Sequence, residues 1–131
     1  MTRTTIDSET EGFATNEAIA ATLQLYIDGA RDGDSELLRR AFLANANVRG
    51  SYGGKAVDWT LEAFCNVIDK GGPAPDLKAR IAMIEFTGSG AVARLEVENW
   101  RGTRYTDFFV LIERDGAWRI SSKVFFAHSS A

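Results

Sequence analysis

The sequence predicts an α+β domain, with helices covering the apolar face of a curved antiparallel sheet that closes into a cone. Three observations lead there. Apolar residues recur at helical spacing through the first half, strand-like runs fill the second half, and the links between those runs are short turns that join antiparallel neighbours. A length of 131 residues suits one domain. Residues 1–14 are expected to form a loose tail, because Thr2 to Glu11 is polar and acidic, and residues 15–131 the folded unit.

The first helix is expected from Thr15 or Asn16, either of which can cap it, to Arg31. Ile19, Leu23, Tyr26, Ile27 and Ala30 make its apolar stripe, and the Tyr26 hydroxyl inside that stripe needs a partner. Gly33 ends the helix, and Asp34 or Ser35 caps a second that turns Leu37, Leu38, Ala41 and Phe42 inward. Between Asn45 and Lys55, Gly50 and Gly53-Gly54 interrupt the pattern, which suggests short, irregular strand pieces. A third helix starts at Asp58 or Thr60 with Leu61, Phe64, Val67 and Ile68 on its apolar face, and Gly71-Gly72-Pro73 breaks it. Four strands follow, over residues 77–87, 91–100, 104–114 and 118–126. In the second of them Ala91, Ala93, Leu95, Val97 and Asn99 alternate with Arg94, Glu96 and Glu98, so one face is dry and the other wet.

The last two strands flank Asp115-Gly116, a strong short-range hairpin signal. Strand side chains alternate between faces, so Tyr105, Asp107, Phe109 and Leu111 share one side, and Trp118, Ile120, Ser122, Val124 and Phe126 share one side of the neighbour. An acid thus stands in an apolar row. A carboxylate there must find a partner, ionise with difficulty, or face a cavity. These residues read as the floor and walls of a ligand pocket. Phe108, Val110, Ile112 and Phe125 alternate to the opposite side, which ought to be wet, and suggest a contact patch.

Net charge is −3 with no basic run, which argues against nucleic acid or an anionic membrane as main partner. The single cysteine, Cys65, excludes an internal disulfide and reads as a small hydrophobe on the third helix. No run is apolar enough to span a membrane, and the N-terminus has no signal-peptide pattern, so the expected address is the cytoplasm. No His, Cys or acidic group has metal-ligand spacing, and neither glycine pair has phosphate-loop context, so no metal and no cofactor is expected. His128, the one histidine, is expected at a frayed surface terminus, with a base at the pocket mouth as the other reading. Trp59, Trp100 and Trp118 could line the site of a flat aromatic ligand, although large aromatics are first of all core or interface material. Arg101 and Arg104 straddle a turn and are expected in solvent.

Tyr26, Gly33-Asp34, Phe42, Val48, Trp59 and Phe64, then Asp107-Phe108-Phe109, Gly116-Ala117-Trp118-Arg119-Ile120 and Lys123-Val124-Phe125, occur in an order and spacing that resembles the nuclear transport factor 2-like superfamily. The chain looks closest to its SnoaL-like and putative lumazine-binding branches, from about Ile19 to Phe126. The resemblance implies the cystatin-like cone and dimerisation through the sheet face. It also covers isomerases, dehydratases and non-catalytic binding domains, so it does not settle function. In ketosteroid isomerase, a relative, a helix tyrosine and a strand aspartic acid that stays neutral at physiological pH together stabilise an oxyanion. Tyr26 and Asp107 match those two by motif. The carboxylate base would fall near Gly50, which has no side chain.

The leading expectation is a homodimeric domain that binds a small aromatic or polycyclic organic ligand. Tyr26 and Asp107 are its polar anchors and the candidate catalytic pair. Leu95, Val97, Asn99, Tyr105, Phe109, Leu111, Ser122, Val124 and Phe126 are the candidate ligand-binding walls. The alternatives are a cofactor-independent isomerase or dehydratase, and a scaffold with a vestigial pocket.

Overall fold

The computed structural model describes residues 5–128, with side chains from residue 12 onward. Its elements run α1 (Thr5–Asp32), α2 (Ser35–Ala41), β1 (Phe42–Tyr52), β2 (Lys55–Thr60), α3 (Leu61–Gly71), β3 (Lys78–Thr87), β4 (Gly90–Trp100), β5 (Thr103–Arg114) and β6 (Ala117–Ala127). The six strands form one sheet in the order β2-β1-β6-β5-β4-β3. All neighbours are antiparallel except β1 and β6, which pair in parallel. The expected irregular pieces after Asn45 are therefore a full eleven-residue strand and its hairpin partner. The glycines that suggested breaks serve other ends: Gly53 and Gly54 turn the hairpin with positive φ, and Gly50 sits within the ladder.

Helix α1 starts ten or more residues before the expected cap, so residues 5–11 are helical rather than a loose tail; residues 2–4 lie outside the described residues. Once nucleated, each further helical residue adds a hydrogen bond at little cost, and no proline stops this polar segment. Thr15 and Asn16 are interior residues of the helix. The expected stripe holds: Ile19, Leu23, Tyr26, Ile27 and Ala30 are all buried. Gly33 adopts φ 66° and lies so close to the Gly72 backbone that a Cβ would overlap it, which is where α1 meets the end of α3. Asp34 caps α2 by accepting from the Glu36 N–H, and Thr60 caps α3 by accepting from the Ala63 N–H.

Leu61, Phe64, Cys65 and Ile68 carry α3 onto the sheet. Val67, expected inward, is 41% exposed, because a helix stripe is narrower than four adjacent apolar positions. Ala91, Ala93, Leu95 and Val97 of β4 and Phe109 and Leu111 of β5 complete the core. Each large aliphatic side chain buried this way contributes roughly 1.5–3 kcal/mol.

Two bulges decide what the sheet presents. Between Val110 and Leu111 the β5/β6 register moves from Ser122 to Ile120, which leaves Ser121 as an extra residue. Before it Trp118 and Ile120 face inward; after it Lys123 and Phe125 do, while Val124 and Phe126 are 50% and 52% exposed. A second irregularity after Val97 re-aims the end of β4, with Asn99 at φ 59° and exposed.

Candidate functional site

An apolar cavity of about 400 Å³ opens between the α3 face and the end of the sheet. Trp59 and Phe64 wall one side, Trp100, Tyr105 and Phe125 the other, and Tyr52, Val67 and Arg101 stand at its edge. Trp59 stacks on Phe64 and Phe125 at ring separations of 6.0 and 6.2 Å, while Tyr105 meets Trp100 at 5.4 Å. Arg101, exposed as expected, also donates to the Gly72 carbonyl at 2.8 Å and ties the β4–β5 turn to the end of α3 at this rim.

Lys123 also lines the cavity, although only 2% of its side chain is exposed. Its Nζ donates to the Tyr26 hydroxyl at 2.5 Å, and that hydroxyl donates to Asp107 Oδ2 at 3.1 Å. Nζ stands 3.9 Å from the same carboxylate oxygen. The faces of Phe64, Tyr26, Phe125 and Trp100 surround the amine at 4.6, 4.8, 5.0 and 5.6 Å. Tyr26 is itself held by Phe109, Phe42 and Phe64, with ring separations of 5.1, 6.1 and 6.5 Å. Asp107 Oδ1 is buried with no hydrogen-bond partner.

Burial sets the electrostatics of this trio. It pushes the Lys123 amine below the usual lysine range, with the Asp107 charge pulling it part of the way back. Four ring faces add a further pull toward the ammonium form. Burial likewise raises Asp107, against the effects of Lys123 and the Tyr26 hydrogen bond. The Tyr26 phenol is raised well above its ordinary value, first by burial and then by Asp107, so it stays protonated as a donor. Tyr105 is pushed up to about 12, mainly by burial. Such a floor offers an amine with a weakened hold on its proton, a protonated phenol and a carboxyl group.

The structure brings Tyr26 and Asp107 together and places Tyr105 in the cavity wall. Leu95, Val97, Phe109 and Leu111 lie deeper, in the core, at no more than 1% exposure. Ser122, Val124 and Phe126 are on the other side of the sheet, a correction that follows from the Ser121 bulge, and Asn99 is exposed at the end of β4 beside Pro73 and Asp76. Ser122 donates to Asn47 Oδ1 at 2.7 Å. Phe125 moves the opposite way, from the expected outer patch into the cavity. Trp59 and Trp100 line the cavity, whereas Trp118 is in the core with its carbonyl accepting from Thr22 Oγ1 at 2.9 Å.

His128 belongs to the outer face, and it is not frayed. Its Nδ1 meets Arg104 Nη2 at 3.1 Å and its Nε2 meets Thr106 Oγ1 at 2.9 Å. Thr106 in turn donates to Glu96 at 3.0 Å, and Arg94 and Arg104 hold that carboxylate below its ordinary range despite an opposing push from burial. Gly50, where an isomerase base would stand, faces Phe125 across the β1/β6 pair, and a Cβ there would come within 2.6 Å of that ring. No side chain fits at this position.

The residue missed by sequence reasoning is Lys123. Its signal was weak, a lysine between Ser121-Ser122 and Val124-Phe125-Phe126, which alternation alone assigns to solvent. Among the described residues, no three His, Cys, Asp or Glu side chains gather where they could hold a metal ion, and no helix is long and apolar enough to cross a membrane.

Comparison with known proteins places these features in context. The model of a family described as Putative lumazine-binding matches residues 14–126. The aldolase FrzH from a Cladobotryum species is 27% identical over 113 residues, which are 86% of this chain and 90% of that protein. Among solved structures, an NTF2-like protein of unknown function from Shewanella baltica superposes with a TM-score of 0.83 at 31% identity, covering 98% of this chain and all of its own. Another, from Methylobacillus flagellatus, reaches a TM-score of 0.85 at 32% identity over 88% of this chain and 94% of its own.

Proposed function

The chain belongs to the Putative lumazine-binding family of nuclear transport factor 2-like domains, and from that membership we propose that its cavity binds a flat organic molecule with a carbonyl oxygen. One observation carries this reading: a single buried amine, Lys123, in a cavity walled by the rings of Trp59, Phe64, Trp100, Tyr105 and Phe125, with Val57, Ile68 and Thr103 beside them. A volume of about 400 Å³ falls in the range of ligand sites and suits a bicyclic or tricyclic ring system. The rings provide stacking surface, and Lys123 Nζ donates to the oxygen with Tyr26 and Asp107 behind it. Tyr26 and Asp107 thereby anchor the ligand through the lysine rather than by touching it.

The family description supports lumazine, a flat dicarbonyl heterocycle, as a first probe. Trp59 and Trp100 line the cavity, so titrating the protein with lumazine or 2-naphthol should quench tryptophan fluorescence to saturation. Absence of saturable quenching by either compound would remove the ligand reading.

A second reading is enzymatic. A relative named as an aldolase covers most of the chain, and an amine beside a protonated phenol suits carbon–carbon bond chemistry at a carbonyl. The isomerase route is less well supported, because the base position is filled by the packing of Gly50 against Phe125. A vestigial scaffold is disfavoured by the costs of burying Lys123 and of leaving Asp107 Oδ1 unpaired.

We also propose a homodimer through the outer sheet face. Val92, Phe108, Val110, Val124 and Phe126 are 41–52% exposed there and adjacent in the ladder. The Ser121 bulge supplies Val124 and Phe126 to this patch in place of Phe125. The proposed address remains the cytoplasm, which suits a buried, unpaired Cys65.

A further inference from the structure

Building on the ligand-site reading, we infer that Lys123 is a covalent attachment point for an aldehyde or ketone, whose carbonyl carbon its Nζ attacks to form an imine. The geometry distinguishes this lysine from a structural one. A lysine placed for stability runs its stem along apolar surface and carries its charge to water, or sits in a contact ion pair. Lys123 carries no charge to water, and its ion pair with Asp107 is a long one. It is buried, its hydrogen bond goes to a phenol oxygen, and the nearest carboxylate oxygen is 3.9 Å from Nζ, beyond hydrogen-bond reach. Yet its side chain forms part of the cavity surface, so an organic molecule seated among Phe64, Trp100 and Phe125 meets it. Burial favours the neutral, nucleophilic amine, which agrees with that placement.

The step balances without an oxidant or reductant. The Nζ lone pair forms the C–N bond as the carbonyl π pair moves to oxygen, and the oxygen takes up a proton as the nitrogen loses one, giving a carbinolamine. The nitrogen pair then forms C=N as the hydroxyl leaves with a second proton, and loss of the remaining N–H proton leaves the neutral imine. One amine and one carbonyl become one imine and one water. Tyr26 holds the amine in place, its phenol oxygen accepting from Nζ while its proton goes to Asp107 as a hydrogen bond, and the proton taken by the leaving hydroxyl comes from water at the cavity opening. The phenol itself stays protonated. The ligand class is accordingly a planar aldehyde or ketone, not a carboxylate or phosphate.

The test uses the intact chain and 2-naphthaldehyde, followed by borohydride reduction and peptide mapping by mass spectrometry. The other lysines, Lys55, Lys70 and Lys78, are exposed and serve as internal controls. Lys123 should carry the naphthylmethyl group in excess of each control by about tenfold or more, because the cavity holds the aldehyde beside it. Excess 2-naphthol, which fills the same cavity and cannot form an imine, should abolish that excess. Labelling of Lys123 no faster than the exposed lysines, with 2-naphthol still quenching tryptophan fluorescence, would overturn the imine and leave the ligand site standing. Failure of lumazine and 2-naphthol alike to quench would overturn the ligand site, and the imine with it.

Discussion

Lys123 Nζ lies 3.9 Å from Asp107 Oδ2, with the Tyr26 hydroxyl hydrogen-bonded to both, and each charge opposes what burial does to the other. Burial drives the pair toward two neutral groups, and their attraction drives it back toward two ions. The balance governs how readily the amine is free of its proton.

Asp107→Asn tests that balance. The amide oxygen keeps an acceptor for the Tyr26 phenol while the carboxylate is lost. Because the Asp107 charge raises the Lys123 pKa, removing it leaves burial less opposed, with Tyr26, Tyr105 and Arg101 still beside the amine or in the same cavity. The pH midpoint for acetylation of Lys123, followed by pulse labelling with acetic anhydride and mass spectrometry, should move to lower pH. An unchanged midpoint would show that the carboxylate does not act as the counter-charge.

Lys123→Met tests the stability side of the same physics. The folded-state pKa of Lys123 lies below its ordinary value of 10.5, so between the two the unfolded chain binds the extra proton. Rising pH therefore favours the folded wild type through that window. Methionine has no such dependence. Urea unfolding from neutral pH to about 10 should show wild type gaining stability relative to the variant as pH rises. A constant difference would mean that Lys123 is not desolvated in the folded protein.

Much of this architecture was legible in the sequence, and the limits have a physical form. The α1 stripe and the inward row Tyr105, Asp107, Phe109 and Leu111 follow from periods of 3.6 and 2, which nothing interrupts there, while the Asp115-Gly116 turn and an α2 cap at Asp34 or Ser35 follow from residue type. On β6 the period is interrupted by one residue, Ser121, and a shift of one exchanges the two faces. Both faces beyond the bulge are comparably apolar, Val124 and Phe126 against Phe125, so composition could not reveal the switch. Lys123 was the residue hidden by it. The parallel β1/β6 pairing was equally invisible, since it joins segments far apart in the chain.

Gly50→Ala probes the Phe125 wall beside the amine. The added methyl would overlap the Phe125 carbonyl and come within 2.6 Å of the Phe125 ring, which is boxed by Trp59 and Tyr105. Overpacking of this kind costs about 1–3 kcal/mol. The urea midpoint should fall accordingly, and lumazine or 2-naphthol binding should weaken as Phe125 is pushed into the cavity. Unaltered stability would mean that the β1/β6 contact gives way to the methyl without strain.

Val110→Glu addresses the outer face without touching the cavity. Val110 is 51% exposed and pairs with Val92 on one side and Ser122 on the other, at the centre of the proposed contact patch. A carboxylate there remains solvated in a monomer, so the fold should tolerate it, with a stability change within about 0.5 kcal/mol per chain before assembly is counted. In a dimer, two such charges would be desolvated across a symmetric apolar interface, where each residue meets its own patch on the partner. Light scattering at micromolar concentration should then give a dimer mass for wild type and a monomer mass for the variant, with quenching by 2-naphthol retained in both. A wild-type monomer would refute the sheet-face dimer, and a variant that stays dimeric would place the interface elsewhere.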